Sequence, residues 1–178
     1  IAKNLQEMGI NLSAEQIRLV TSRVIELGDK KESLSAEDLP FIVADVLRGA
    51  LPSSAQQKPD VISIVNYSLS LTRGLKPVAT VRLSIDGQEY EDTSRGDGQY
   101  DAFMKALWKI YDRLGRNHPR LVDYKVSIPP GGKTDALVET VIVWSDGESE
   151  IRTRGLDADQ TEAAIKATVK MLNLIEQR

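Results

Sequence analysis

The sequence holds one histidine, His118, in the polar loop Gly115-Arg-Asn-His-Pro119, and no cysteine. Disulfides, thiolate metal sites and cysteine nucleophiles are therefore excluded. No second ligand stands at metal-binding spacing from His118, and a lone histidine in such a loop is expected to be solvated. No serine sits in a G-x-S-x-G elbow. Gly131-Gly-Lys-Thr134 has the ending of a phosphate-binding P-loop. The motif needs another glycine five residues before its second one, and Ser127 stands there. Strands are also predicted on both sides, whereas a P-loop opens a helix, so phosphate chemistry is rejected. Asp157 and Asp159 precede the last helix and suit its positive end; a divalent-metal pair is the lesser reading of them. What remains is recognition chemistry. Arg95-Gly-Asp-Gly98 and Arg154-Gly-Leu-Asp157 are glycine-bearing entrances to two helices, and free N–H groups at such ends attract carboxylates. The competing reading of both is an ordinary strand-to-helix turn.

These residues must be positioned by elements the patterning can name. The chain has 178 residues, 41% apolar, enough for one core or two small ones. Charged residues make up 28% and the net charge is −3, which gives no reason to expect nucleic acid or an anionic membrane as partner. No apolar run reaches the length of a membrane span, and no signal-peptide layout is present, so a cytoplasmic protein is expected. Ile1 already lies inside a helix-like pattern, so a piece of a longer chain is expected.

Residues 1–50 read as a helical unit. Leu5, Met8 and Ile10 form a short stripe, and Ser13-Ala-Glu-Gln16 has capping-box spacing. Ile17, Val20, Val24 and Leu27 follow at helical period, with Gly28 as the stop. A further start at Ser35-Ala-Glu-Asp38 leads into a helix carrying Phe41, Ile42, Val43, Val46 and Leu47. A unit this small is expected to dock on another domain or to act as a spacer. Residues 51–59, LPSSAQQKP, read as a linker.

Residues 60–178 read as one domain made of a repeated unit. Strands are predicted over 61–71, 78–85 and 88–93, with an Asp86-Gly87 hairpin turn, then a helix over about 100–114. Strands over 121–128, 136–144 and 148–154 follow, with a second Asp146-Gly147 turn. A turn over Gly155–Ala158 precedes a helix over 159–175. The Asp-Gly turns lie sixty residues apart, and Asp101-Ala-Phe-Met-Lys-Ala106 matches Glu162-Ala-Ala-Ile-Lys-Ala167 sixty-one residues on. The repeat, about 60–117 and 118–178, predicts an α+β domain of two pseudo-symmetric βββα units with antiparallel sheets. At this level a small-molecule sensor with a pocket between the repeats and a purely structural dimerisation module both stand, with an enzyme third.

Longer stretches carry a resemblance. Tyr124-Lys-Val, Thr134-Asp-Ala136, the Asp-Gly hairpin, Arg154-Gly-Leu-Asp-Ala-Asp-Gln-Thr-Glu-Ala163 and Lys170-Met-Leu-Asn-Leu174 occur in this order. Together they resemble the C-terminal regulatory domain of 2-isopropylmalate and citramalate synthases. Gly9-Ile-Asn-Leu with Ser13, and Asp29-Lys-Lys-Glu, resemble the subdomain that joins that domain to the catalytic barrel. The resemblance implies a homodimeric regulatory fragment, inactive alone. Its own catalytic domain, a TIM barrel with a divalent metal, would condense acetyl-CoA with a 2-oxo acid. It also implies feedback inhibition by leucine, or by isoleucine in citramalate synthases. Leucine is the reading adopted, because 2-isopropylmalate synthases are the commoner members.

The resemblance further implies an effector pocket. Leu121, Tyr124 and Ile128 would lie along one strand, Thr134 in the loop that follows, and Val138 on the next strand. Asp101 would start the first repeat's helix, and Ala158 and Gln160 the second's. Leu121, Ile128 and Val138 would enclose a branched tail, whose burial is worth about 1.5–3 kcal/mol. Asp101 would face the ammonium, and N–H groups near 158–160 would take the carboxylate, since unpaired burial of either charge costs more than the tail gains. Ala158 departs from relatives that carry proline there. Inhibition is expected to tighten the Pro129–Thr134 loop and to restrain the helical arm.

Overall fold

A computed structural model describes residues 1–30, 34, 38–49, 61–128 and 136–176. The Ser35 helix start, the 51–59 linker, Thr134 and the Pro129–Thr134 loop lie outside the described residues. Three helices form the N-terminal arm: α1 (Ala2–Glu7), α2 (Ala14–Lys30) and α3 (Leu39–Gly49). The capping box forms as predicted. The Ser13 hydroxyl accepts from the Gln16 N–H at 3.2 Å, and the Gln16 side chain accepts from the Ser13 N–H at 2.9 Å. Gly28 does not stop α2, which runs two residues further. Leu27 is fully buried, and that packing outweighs the weak helix propensity of the glycine beside it.

Two three-stranded antiparallel sheets follow, each with its own helix. The first unit is β1 (Ile62–Ser70), β2 (Val78–Ile85), β3 (Gln88–Arg95) and α4 (Gln99–Arg113). The second is β4 (Arg120–Ser127), β5 (Val138–Ser145), β6 (Glu150–Asp157) and α5 (Gln160–Glu176). The repeated βββα architecture is as the sequence predicts, and β1, β3, β4 and β6 are sheet edges. The two Asp-Gly turns differ in detail. Asp86 and Gly87 both have positive φ, 52° and 79°, which gives the tight two-residue hairpin. In the second unit the Asp146 carboxylate accepts from the N–H groups of Glu148 and Ser149 at 2.9 and 2.8 Å. Those groups are then lost to the ladder, so β6 starts at Glu150 rather than Glu148.

β6 also runs through the stretch read as a turn, as far as Asp157. Gly155 is there because α5 crosses directly above it: a Cβ would lie 1.8 Å from the Ala163 carbonyl oxygen. The glycine serves close approach rather than chain reversal.

Buried residues of both units, among them Phe103, Ile110, Ile142 and Met171, form one apolar cluster. Polar groups stitch the units together as well. Asn173 of α5 accepts from the Ile62 N–H at 2.9 Å and donates to the Ile62 carbonyl at 2.8 Å, mimicking a strand partner on the edge of β1. The Tyr100 and Thr168 hydroxyls meet at 2.8 Å. His118 is exposed, as its polar loop suggests, and one face of its ring stacks on Trp108 with centroids 4.1 Å apart. The arm docks on the second unit, where Leu5, Val20, Leu27, Leu39, Ile42 and Val43 close over Leu137 and Leu156. Among the described residues no helix is long and apolar enough to cross a membrane.

Candidate functional site

β4 carries the first candidates, and its register explains their odd spacing. Leu121 pairs with Trp144 and Tyr124 with Ile142, with a register shift between Leu121 and Asp123. Residues three apart on a regular strand face opposite ways. The shift makes Val122 an extra residue, so Leu121 and Tyr124 share the face covered by α5. β4 is an edge strand, and cover is incomplete there: Leu121 is 39% exposed and Ile128 63%. Neither is ordinary core.

The first turns of both helices reach the ring of Tyr124. Tyr100, second residue of α4, packs on it with centroids 5.5 Å apart. The Gln160 side chain, first in α5, and the Thr140 hydroxyl flank its phenol oxygen. Burial raises the Tyr124 phenol above its ordinary pKa, and these two neighbours offset part of the rise. Burial also pushes the Tyr100 phenol up, against the opposing bond from Thr168. The Thr140 hydroxyl is fully buried and completes no hydrogen bond of good geometry among the described residues. Val138, nearly buried, lies two residues before Thr140 on β5 and so faces the same side.

Two candidates point elsewhere. Asp101 accepts from the Asp97 N–H at 2.8 Å and from Lys105 at 2.7 Å. Burial pushes its carboxyl up, but these donors outweigh it and hold the group below the ordinary carboxylate range. Ala158 packs against the arm's apolar cluster. The structure thus brings Tyr124 and Gln160 together, sets Leu121 and Val138 on the same sheet face, and leaves Ile128 exposed just beyond the end of β4.

Tyr100 and Thr140 were not singled out by sequence reasoning; Tyr100 opens the helix predicted just after the Arg95–Gly98 entrance, while Thr140 had no signal. Asp159, not Asp157, caps α5, accepting from the Glu162 N–H at 2.8 Å. Asp157 is buried at the end of β6 and binds Lys166 at 2.7 Å. A separate cleft of about 620 Å³ lies between α2, α5 and the β1 edge and contains none of the eight candidates. Paired charges border it, including Arg23, Glu26 and Lys166, and the Tyr67 hydroxyl crosses to the Glu162 carboxylate. Its charged groups already serve one another, which leaves the Tyr124 face as the candidate recognition site. Among the described residues no three His, Asp or Glu side chains are grouped to hold a metal ion.

Comparison with known proteins agrees with this architecture. The family model described as the LeuA allosteric (dimerisation) domain matches residues 33–176. A probable 2-isopropylmalate synthase of Methanopyrus kandleri is 35% identical, over the whole of this chain and 34% of its own length. The 2-isopropylmalate synthase of Pelotomaculum thermopropionicum is 34% identical over 95% of this chain and 31% of its own. The (R)-citramalate synthase CimA of Methanocaldococcus jannaschii is 32% identical over 96% of this chain and 33% of its own. The chain therefore spans about a third of the length of the curated relatives it matches. With most of its residues covered by that family model, the chain belongs to the LeuA allosteric (dimerisation) domain family and is a regulatory domain of that kind.

Proposed function

We propose that this chain is the leucine-sensing part of a cytoplasmic 2-isopropylmalate synthase. Working as a homodimer, it would restrain its own catalytic domain, which uses a divalent metal to condense acetyl-CoA with 2-oxoisovalerate. The observation that carries the reading is the convergence of the first turns of α4 and α5 on Tyr124, beside exposed apolar residues on β4. Helix N-termini favour a carboxylate. The Gln160 side chain and the Thr140 hydroxyl set polar groups around the Tyr124 phenol, and Leu121, Val138 and Ile128 offer apolar surface to a branched side chain. Asp101 meets the ligand's ammonium only by giving up Lys105. The likeness to an (R)-citramalate synthase supports a second reading, in which the effector is isoleucine.

Calorimetric titration of the chain with leucine, isoleucine and valine tests both. Saturable heat strongest with leucine is the expected result, and heat strongest with isoleucine selects the second reading. No heat with any of the three leaves a purely structural dimerisation module. Light scattering on the same samples should report a dimer.

A further inference from the structure

We propose that six charged side chains, joining the arm to the corner between β6 and α5, form the element through which ligand binding at that corner repositions the arm. This rests on the effector reading above. Asp157 is the pivot. Its side chain is 2% exposed. One carboxylate oxygen accepts from the Asp159 N–H at 3.1 Å, which shapes the corner carrying Ala158 and Gln160. The other takes the Lys166 ammonium at 2.7 Å.

From Lys166 the chain of contacts enters the arm. Its ammonium also reaches Glu26 at 3.0 Å, and Glu26 binds Arg23 at 2.7 Å. Arg23 turns back to the corner, donating to the carbonyl of Leu156, the residue before Asp157. The contacts therefore close into a ring through α5, α2 and β6. A branch holds α3: Asp45 accepts from Arg23 at 3.2 Å and from Lys170 at 2.9 Å. Three cations face three anions, so the ring is balanced and each partner can be exchanged for another. The adjoining cleft of about 620 Å³ gives these side chains room to re-pair. Apolar contact reinforces the link, since Ala158 packs with Leu137 and Leu156 in the arm's own cluster. A shift of the corner on closing over a ligand stretches the Arg23–Leu156 bond, which a movement of α2 restores, and strains the Lys166–Asp157 bond, which pulls on α2 through Glu26. A site can influence a distant element only through such differential contacts.

Hydrogen exchange on the whole chain, with and without saturating leucine and in parallel with calorimetry, tests this. In the unmodified chain leucine should slow exchange in α2 and α3 by about fivefold or more, the usual scale of coupling between sites. In Lys166→Met the binding heat should remain while the response of the arm falls below about twofold. Glu26→Gln, on the more exposed side of the ring, should show the same loss with less risk to the fold, and circular dichroism melts check both variants. An unchanged arm response in both variants would overturn the ring as the coupling element. Heat in the unmodified chain with no arm response would sink the coupling but leave the effector reading standing. Absence of heat would remove both.

Discussion

Where the two βββα units meet, Phe103, Ala106, Ile110 and Met171 are fully buried, and Asn173 and Thr168 spend their polar groups on the opposite unit. Where the helical arm meets the second unit, Leu137 and Leu156 are, among the described residues, the only ones of the domain that enter the buried apolar cluster. Around it lie partly buried apolar residues, Ala158 among them, and the paired charges of Arg23, Glu26, Asp45, Asp157, Lys166 and Lys170. Apolar burial is non-directional and strong, at about 25 cal/mol per Å². Partly buried ion pairs return little net free energy, because desolvation offsets much of the attraction. Their partners can also be exchanged without opening a void. The first joint therefore suits a fixed frame, and the second suits an adjustable contact.

The largest break of this contrast lies in the frame. Phe103→Ala removes a fully buried ring that packs edge-on against Tyr67. It should cost about 3–5 kcal/mol, read as a lower denaturant midpoint for both units in one transition. Separate transitions for the units would show that the joint is weaker than argued. Asn173→Ala leaves the N–H and carbonyl of Ile62 without their side-chain partner. It should cost about 1–3 kcal/mol, with faster exchange of the Ile62 amide.

The smallest effect lies in the arm, and pH sharpens it. Burial pushes the Glu26 carboxyl up, but Arg23 and Lys166 outweigh it and hold the group below its ordinary value of 4.5. A depressed folded pKa means that this contribution is complete above about 4.5 and fades as pH falls through the lower folded value. Exchange protection in α2, corrected for the intrinsic slowing of amide exchange in acid, should therefore fall at a higher pH than protection in α4 does. Simultaneous loosening would remove the distinction between the joints.

Most of the frame could be read from the amino acids. Alternating residues from Val78 to Ile85, the paired Asp-Gly turns and the shared helix wording located both units. Gly155 was misplaced because a glycine needed for close approach looks, in sequence, like a glycine needed for a turn. The contacts that join distant segments carry no local pattern at all. Nothing near Asn173 indicates Ile62, and nothing near Arg23 indicates Leu156. The candidate site was legible through resemblance rather than periodicity. The spacing of Leu121 and Tyr124 acquires sense only from the register shift at Val122, and Asp101 looks free until its bonds to Lys105 and the Asp97 N–H are seen.

Amide chemical-shift mapping of the chain during a leucine titration locates the ligand. The largest shifts are expected at Tyr100 and Asp101, along Leu121 to Ile128, and at Ala158 to Glu162. Shifts confined to the cleft between α2, α5 and the β1 edge, or no shifts at saturating leucine, would contradict that location.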